Sequence, residues 1–256
     1  MPAAGFKDHF SVAAHEYDRY RPGYPAALME FLAAAAPGRS LAWDCATGTG
    51  QAAIALAGYF EEVVASDAST AQIGHAVAHP RVRYRVAQAE ASGLGDGVAD
   101  LVTVAQALHW LDLEPFYGEV RRVARPGAVF AAWTYSLADA DPEIDPLVAA
   151  FYARMGPWWP PERAHVEDGY RQLPFPFAPL SAPDFEIREA WPLERLLGYF
   201  STWSAVNRCR KETGDDPVES LGRQLARVWG DPAAPRPVRW PLHLRVGRVD
   251  RGWGHS

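Results

Sequence analysis

The sequence predicts an α/β protein built on a doubly wound, mostly parallel sheet. Between Ala26 and Trp133, short apolar runs typical of buried strands alternate with segments of helical spacing. One stretch organises this region: L-A-W-D-C-A-T-G-T-G-Q, from Leu41 to Gln51, joins an apolar run to a glycine-rich turn, and strong helix formers follow. Such a turn brings backbone N–H groups close to a ligand at a helix start, where negative charge is favoured.

Turn and capping residues set the limits of the predicted elements. Pro37-Gly38 ends a helix over Ala26–Ala36, and a helix that Asp112 can cap ends at Arg125-Pro126-Gly127. The pattern from Ser69 to Gln72 resembles a capping box and predicts another helix start. The glycine turn leads into a helix over Gln51–Ala57. The predicted strands are Leu41–Asp44, Val63–Ser66, Val82–Val86, Asp100–Ala105 and Ala128–Trp133.

The composition changes beyond Tyr135. Met155–Pro183 is rich in proline and aromatic residues, which suit a sheet centre poorly, and we expect it to form a cap over the site. Trp240–Val249 alternates apolar and polar residues and predicts a final, half-exposed, antiparallel strand. The other predicted elements are a strand at Phe185–Ile187 and helices at Leu193–Val206 and Val218–Trp229.

Composition limits the classes of partner. The net charge of −6 implies no basic face for nucleic acid. Cys45 and Cys209 are far apart, which fits a reduced cytoplasmic setting better than a disulfide framework. We find no apolar run of about 18 residues and no signal-peptide pattern at the N-terminus, so we expect a cytoplasmic protein without a membrane partner. The ten tryptophans fit an aromatic-lined cavity or an unusually aromatic core.

Two ligand classes suit the glycine turn: a dinucleotide, and S-adenosylmethionine. Gly48, Gly50 and Ala53 satisfy the dinucleotide pattern G-x-G-x-x-A, which is a weak signal alone. Asp67 ends the next strand, where a carboxylate accepts hydrogen bonds from ribose hydroxyls. Both ligand classes carry that ribose, so Asp67 does not separate them.

Three features favour S-adenosylmethionine. Asp44 ends the first strand, where its carboxylate can reach a methionine amino group but would repel a pyrophosphate. The glycine turn begins only at Cys45, whereas dinucleotide folds often begin with it. Ala89 and Glu90 follow the third strand, where a small residue and a carboxylate can meet the face and the exocyclic amine of adenine.

Five motifs occur in order, namely W-D-C-A-T-G-T-G-Q, V-V-A-S-D-A-S, V-A-Q-A-E, A-D-L-V-T-V-A-Q-A-L-H-W and R-V-A-R-P-G-A-V-F. They resemble the motifs of class I S-adenosylmethionine-dependent methyltransferases of the type 11 group, and the small-molecule enzymes similar to trans-aconitate methyltransferase are the nearest subgroup. The resemblance covers about residues 10–135 and, more loosely, the C-terminal third. It implies a Rossmann-like seven-stranded sheet with an antiparallel last strand. The family's first turn glycine is Ala46 here, which is tolerable if its φ is negative.

The resemblance implies a cofactor site made of strand tips and turns. Asp44, Ala46, Gly48 and Gly50 would form its methionine side, with Gln106 near the same end. The N-terminal segment would fold over the cofactor, where Arg21 would pair with the methionine carboxylate. The remaining candidates are Asp67 for the ribose, Ala68, Ala89 and Glu90 for the adenine, and Tyr17 in the N-terminal segment.

The acceptor site is expected beside Q-A-L-H-W, which follows the fourth strand. His109 is the candidate catalytic residue, as a general base for a hydroxyl or amine, or as a group that orients a carboxylate; a merely packed histidine is the alternative. Arg171 would suit an anionic acceptor. The candidate acceptor-binding residues are Trp110, Trp158, Trp159, Tyr170, Arg171 and Trp203. No metal site is predicted.

The favoured function is direct in-line methyl transfer from S-adenosylmethionine to a small molecule. The alternatives are a non-catalytic S-adenosylmethionine-binding regulatory module and an NAD(P)-dependent oxidoreductase. Residues 1–135 would form the cofactor-binding core with an N-terminal lid segment. Residues 136–256 would form the cap and the last strands of the same sheet.

Overall fold

The computed structural model describes residues 20–250. One sheet runs through these residues in the order β3-β2-β1-β4-β5-β8-β6, and β7 also pairs with β8. The strands are β1 (Leu41–Cys45), β2 (Glu62–Asp67), β3 (Val82–Val86), β4 (Ala99–Ala105), β5 (Ala124–Thr134), the two-residue β6 (Ala178–Pro179), β7 (Phe185–Trp191) and β8 (Arg236–Arg248).

Strands β1 to β5 are parallel, and β8 is antiparallel to β5. The two halves of β8 have different partners, since residues 236–242 pair with β7 and residues 243–248 pair with β5. Apart from β6, the sheet therefore has seven strands, most of them parallel, with an antiparallel last strand. The predicted fold class is confirmed.

Helices cover both faces of the sheet. They are α1 (Ala26–Ala35), α2 (Gln51–Leu56), α3 (Thr70–Gly74), α4 (Leu113–Val123), α5 (Asp145–Arg154), α6 (Arg163–Glu167), α7 (Leu193–Ser201), α8 (Ser204–Thr213) and α9 (Pro217–Trp229), with 3₁₀ turns at Leu108–Trp110 and Gly156–Trp158. None of the helices described in residues 20–250 is long and apolar enough to cross a membrane.

The core has two layers because side chains alternate across the sheet. Along β5, the odd-numbered residues from Val129 to Trp133 enter the layer formed with α1, α2 and the C-terminal helices. The even-numbered residues from Ala128 to Ala132 enter the layer formed with α4. Both sets are fully buried, so β5 is a central strand that fixes the positions of its neighbours.

The helix predicted over Leu193–Val206 is wrong in one respect, because the chain forms two helices there. The Thr202 hydroxyl donates to the Tyr199 carbonyl (2.7 Å), and Trp203 takes an extended backbone conformation between α7 and α8. Trp203 is 3% exposed, so the break buries its ring. Packing of this aromatic side chain therefore overrides the local helical pattern.

The two predicted helix caps have different outcomes. Ser69 caps α3, because its hydroxyl accepts a hydrogen bond from the Gln72 amide (3.3 Å). Asp112 occupies the N-cap position of α4, but its side chain makes no capping hydrogen bond. Its carboxylate instead lies at the edge of a cavity.

Candidate functional site

A cavity of about 430 Å³ lies at the carboxyl ends of the parallel strands. This is the edge at which open α/β sheets bind ligands, and the volume is in the range of small-molecule sites. The turn after β1, the tip of β2 and the loops after β3 and β4 supply its walls. Of the predicted site residues, those that line it are Ala46, Gly48, Asp67, Ala68, Ala89, Glu90, Gln106, His109 and Trp110.

The glycine turn reaches the cavity through a run of left-handed residues. Gly48 has φ +58° and Gly50 has φ +96°, values that glycine adopts without steric cost. Ala46 has φ +54°, so the condition under which a methyl group is tolerated here, a negative φ, is not met. An alanine in this region costs about 1–2 kcal/mol, and the turn therefore stores strain next to the cavity.

Gly50 shapes the turn and does not line the cavity. A Cβ atom at this residue would lie 2.1 Å from the Tyr84 hydroxyl oxygen and 2.7 Å from its ring. The Tyr84 hydroxyl donates to the Val77 carbonyl (2.9 Å), which holds the ring against the turn. Gly50 therefore permits both the left-handed conformation at the start of α2 and the close approach of Tyr84.

Asp67 is oriented by backbone donors at the tip of β2. One carboxylate oxygen accepts from the Gly48 amide (2.9 Å), and the other accepts from the Ser69 amide (2.8 Å). These bonds join β2 to the turn after β1. Asp67 therefore borders the cavity in a fixed orientation.

Asp44 lies behind the cavity wall and is 0% exposed. Its two oxygens accept from the Thr47 hydroxyl and from the Thr103 hydroxyl, at 2.5 and 2.7 Å. Burial raises the pKa of Asp44 from 3.8 to about 6, because desolvation outweighs these two hydrogen bonds. Thr47, whose hydroxyl donates to Asp44, itself lines the cavity.

Gln106 presents a side-chain donor at the end of β4. Its carbonyl oxygen accepts from the Thr134 hydroxyl (3.0 Å), while its buried Nε2 has no hydrogen-bond partner within residues 20–250. The residue has φ +60°, a strained conformation for glutamine. An unpaired buried donor costs about 1–3 kcal/mol, so a ligand acceptor at this position would stabilise the site.

His109 lies on the 3₁₀ turn after β4, between Trp110 and the cap. Its ring centroid is 4.6 Å from that of Trp110, and its Nδ1 lies 2.9 Å from the Tyr170 hydroxyl. Burial, with help from the charges of Arg163 and His165, lowers the pKa of His109 from 6.5 to about 3. His109 is therefore neutral at physiological pH and is a weak proton acceptor.

Most of the predicted acceptor residues lie away from the cavity. The Trp158 indole donates to Glu212 (2.8 Å), Trp159 packs under the Arg163 guanidinium, and Trp203 stacks on Phe151. Tyr170 is fully buried behind His109, and Arg171 is exposed with its Nε donating to the Asp168 carbonyl. A large aromatic residue suits the protein interior as well as a pocket, and these rings pack on other side chains: Trp203 lies in the core, and Trp158 and Trp159 pack against it partly buried.

The N-terminal candidates have different outcomes. Tyr17 lies outside the described residues. Arg21 does not line the cavity: its Nε donates to the Thr202 hydroxyl (3.0 Å), and its guanidinium lies 5.2 Å from the centre of the Tyr199 ring. The chain then passes close to the turn, where Gln51 donates to the Pro22 carbonyl (3.0 Å). Arg21 therefore holds the chain before α1 against Thr202 and Tyr199.

Several lining residues were not predicted from the sequence. Tyr24 lines the cavity and packs edge-on against Trp133, with ring centroids 5.3 Å apart. Glu162 reaches the cavity from the cap. No local pattern marks these two, whereas the remaining ones lie within four residues of a predicted site residue in the sequence. The lining residues that were not predicted as site residues include Tyr24, Thr47, Gln51, Gln72, Gln88, Asp112 and Glu162.

Comparisons with known proteins point to one family. Residues 43–132 match the model of a methyltransferase domain. A predicted methyltransferase of Dictyostelium discoideum is 30% identical over 229 residues, which cover 88% of this chain and 87% of that protein. A predicted type II methyltransferase from Anaeromyxobacter dehalogenans has a solved structure that is 51% identical, with a TM-score of 0.85, and the match covers 90% of this chain and 98% of that chain.

The fold and the cavity at its carboxyl edge define a Rossmann-like protein with a small-molecule site. With these relatives, the chain belongs to the class I S-adenosylmethionine-dependent methyltransferases. The predicted family and enzyme class are confirmed. The alternative of an NAD(P)-dependent oxidoreductase is therefore not supported. The likeness to trans-aconitate methyltransferase stays a prediction.

Proposed function

We propose that this enzyme transfers a methyl group from S-adenosylmethionine to a small-molecule acceptor by direct in-line displacement. The observation that carries the proposal is the cavity itself. One end has a fixed carboxylate at Asp67 beside the glycine turn, and the other end has His109 and Trp110. One continuous space thus joins a nucleoside-binding end to an end suited to a second substrate.

The residues present fit the methyl donor. Asp67 would accept hydrogen bonds from the ribose hydroxyls, and Ala68, Ala89 and Glu90 would border the adenine. The turn at Ala46 and Gly48 would hold the methionine part. The unpaired Nε2 of Gln106 supports this assignment, because a carboxylate or carbonyl of the donor would satisfy it.

Asp44 would act on the methionine ammonium from behind Thr47. A carboxylate that is 0% exposed has little solvent screening, so a nearby cation gains substantially from it. Binding of that cation would in turn favour the ionised form of Asp44. We therefore assign Asp44 to charge complementarity and Thr47 to direct contact.

The donor supplies an activated methyl group, which leaves a sulfonium sulfur as the C–S electron pair returns to that sulfur. The chain has to hold the acceptor's lone pair about 3 Å from the methyl carbon, opposite the sulfur, and to exclude water. Trp110, Leu111 and Tyr24 supply apolar surface in the cavity wall. Exclusion of water by these side chains protects the transfer from side reactions.

The walls also bear on the acceptor's size and charge. The donor and the acceptor share about 430 Å³, which favours a small molecule. Within residues 20–250 no lysine or arginine lines the cavity, while Glu90, Asp112 and Glu162 do. This lining does not support a polyanionic acceptor such as a tricarboxylate, and it favours a neutral molecule or an amine.

Calorimetry tests the donor assignment. We expect S-adenosylmethionine and S-adenosylhomocysteine to bind and NAD not to bind. A screen of small amines, phenols and carboxylates with radiolabelled methyl donor tests the acceptor class, and we expect label transfer to a small molecule. Label that enters only macromolecules of a cell extract would contradict the proposal.

A further inference from the structure

The contact between Tyr170 and His109 has no role in the function proposed above. The Tyr170 hydroxyl lies 2.9 Å from Nδ1 of His109, and Tyr170 is 0% exposed and does not line the cavity. Nδ1 of His109 therefore points into the protein, away from the substrates. A buried hydroxyl in this position can decide which imidazole nitrogen carries the proton.

The backbone around Tyr170 is held firmly. Tyr170 has φ +64°, and its amide donates to the His165 carbonyl (2.8 Å). Arg245 of β8 donates to the carbonyls of Tyr170 and Leu173 at 2.5 and 2.9 Å, and its guanidinium packs on Phe175. These contacts fix the backbone of Tyr170 relative to β8 and maintain its strained φ. The side chain of Tyr170 therefore starts from a fixed position.

The second nitrogen of His109 has the opposite environment. Within residues 20–250, the hydrogen bond of the His109 ring runs through Nδ1, and the ring itself lines the cavity. Nε2 is therefore the ring nitrogen left for a ligand. A neutral imidazole has one donor nitrogen and one acceptor nitrogen. The phenol is a stronger acid than the neutral imidazole, so the favourable arrangement has Tyr170 donating to Nδ1 and the proton on Nε2.

We propose that Tyr170 is a positioning residue that holds His109 in the tautomer protonated on Nε2, so that His109 donates a hydrogen bond to a polar atom of the methyl acceptor other than the nucleophile and does not remove the acceptor's proton. The proposal rests on the proposed function, because it assigns a role to His109 in the acceptor end of that cavity. It replaces the general-base role predicted for His109 from the sequence.

This tautomer restricts the acceptor. The nucleophilic atom has to arrive with a free lone pair, and any proton it carries leaves to solvent after the transfer. A neutral amine meets this condition: its lone pair forms the new C–N bond, and the methylated ammonium product loses its proton later. An aliphatic hydroxyl does not, because it needs a base during the transfer.

The tautomer can be read by NMR on the full-length protein labelled with ¹⁵N-histidine. Two-bond ¹H–¹⁵N correlations distinguish a protonated ring nitrogen from an unprotonated one, and His109→Gln identifies the His109 signals by their loss. We expect Nε2 protonated and Nδ1 unprotonated between pH 5 and 8. Tyr170→Phe should release this preference and move both ¹⁵N signals toward a mixture of tautomers.

Tyr117→Phe is the matched control. Tyr117 is also buried, and its hydroxyl donates to the Pro174 carbonyl of the same loop (2.8 Å) without contacting His109. We expect this variant to leave the His109 signals in place. A wild-type protein with Nδ1 protonated, or Tyr170→Phe signals that match those of the wild type, would overturn the proposal.

Calorimetry with S-adenosylmethionine separates this inference from the function on which it rests. Tyr170→Phe should keep the donor affinity within about twofold of the wild-type value, because Tyr170 lies at the acceptor end. If the wild-type protein does not bind S-adenosylmethionine, the proposed function is wrong. The NMR experiment still determines the tautomer of His109 in that case.

Discussion

The carboxylate of Asp67 and the amide of Gly48 are joined across 2.9 Å, which ties the tip of β2 to the turn after β1. The two segments that would hold the ribose and the methionine part are thus already connected in the protein without ligand. Such preorganisation lowers the entropy that binding has to overcome.

Asp67→Ala tests this connection. We expect the affinity for S-adenosylmethionine to fall at least about tenfold, because the variant loses the ribose acceptor and frees the Gly48 amide. Calorimetry measures the change. Glu62→Gln is the control, since Glu62 lies at the opposite end of β2 and should leave the affinity unchanged. An Asp67 variant with wild-type affinity would remove Asp67 from the ribose site.

Gly50→Ala should destabilise the protein and weaken donor binding. The added methyl group would meet the Tyr84 ring and force an alanine into φ +96°, at a cost of at least about 1–2 kcal/mol. Urea unfolding measures the loss. Gly118→Ala in α4 is the control, because a Cβ there meets no atom within 4 Å and should stabilise the helix by about 0.5–1 kcal/mol.

Ala46→Gly should raise the free energy of unfolding by up to about 1 kcal/mol. It relieves the left-handed strain at φ +54°, and the greater entropy of glycine in the unfolded chain offsets part of that gain. Thermal unfolding reads the difference. Ala55→Gly in α2 serves for comparison and should lower stability, since that residue is helical. An Ala46→Gly variant that is less stable than the wild type would show that the backbone at Ala46 is not strained.

Asp44→Asn should change the pH dependence of stability. The folded pKa of Asp44, about 6, lies above its ordinary value of 3.8, so the favourable contribution of this group is present below pH 3.8 and is lost as pH rises through 6. Asparagine cannot ionise and avoids that loss. Relative to the wild type, the variant should therefore gain about 2 kcal/mol of unfolding free energy between pH 4 and pH 8.

Urea titrations of both proteins at the two pH values measure this gain. The difference between them removes the constant effect of the altered hydrogen bonds to Thr47 and Thr103. If the two proteins differ in unfolding free energy by the same amount at pH 4 and pH 8, the pKa of Asp44 is not raised in the folded protein. Donor affinity should also fall in the variant, because the ammonium loses its counter-charge.

Several residues predicted for the cofactor site do line the cavity, for a physical reason. Apolar strands that end in Asp44 and Asp67 bring both carboxylates to one edge of a parallel sheet, and only local order along the chain is needed to see this. The left-handed conformations of Ala46, Gln106 and Tyr170 were not predictable, because non-glycine residues seldom adopt them and no pattern marks them.

The acceptor end depends on contacts between distant parts of the chain. Tyr170 and His109 are 61 residues apart, and the cap segment that brings them together has no regular period. The tryptophans show the same limit of sequence-based prediction. Trp158, Trp159 and Trp203 are of a residue type common in pockets, but they pack away from the cavity. Local sequence does not distinguish a ring that meets a ligand from one that meets another ring.

The double pairing of β8 decides how the chain can be divided. A fragment that stops at residue 135 would keep β5 but lose its antiparallel neighbour, leaving the backbone groups from Val129 to Thr134 as a bare, apolar edge. Such an edge recruits other chains. Attempts to produce the nucleoside-binding half alone should therefore yield aggregates, and engineering of the acceptor end has to retain the C-terminal strand.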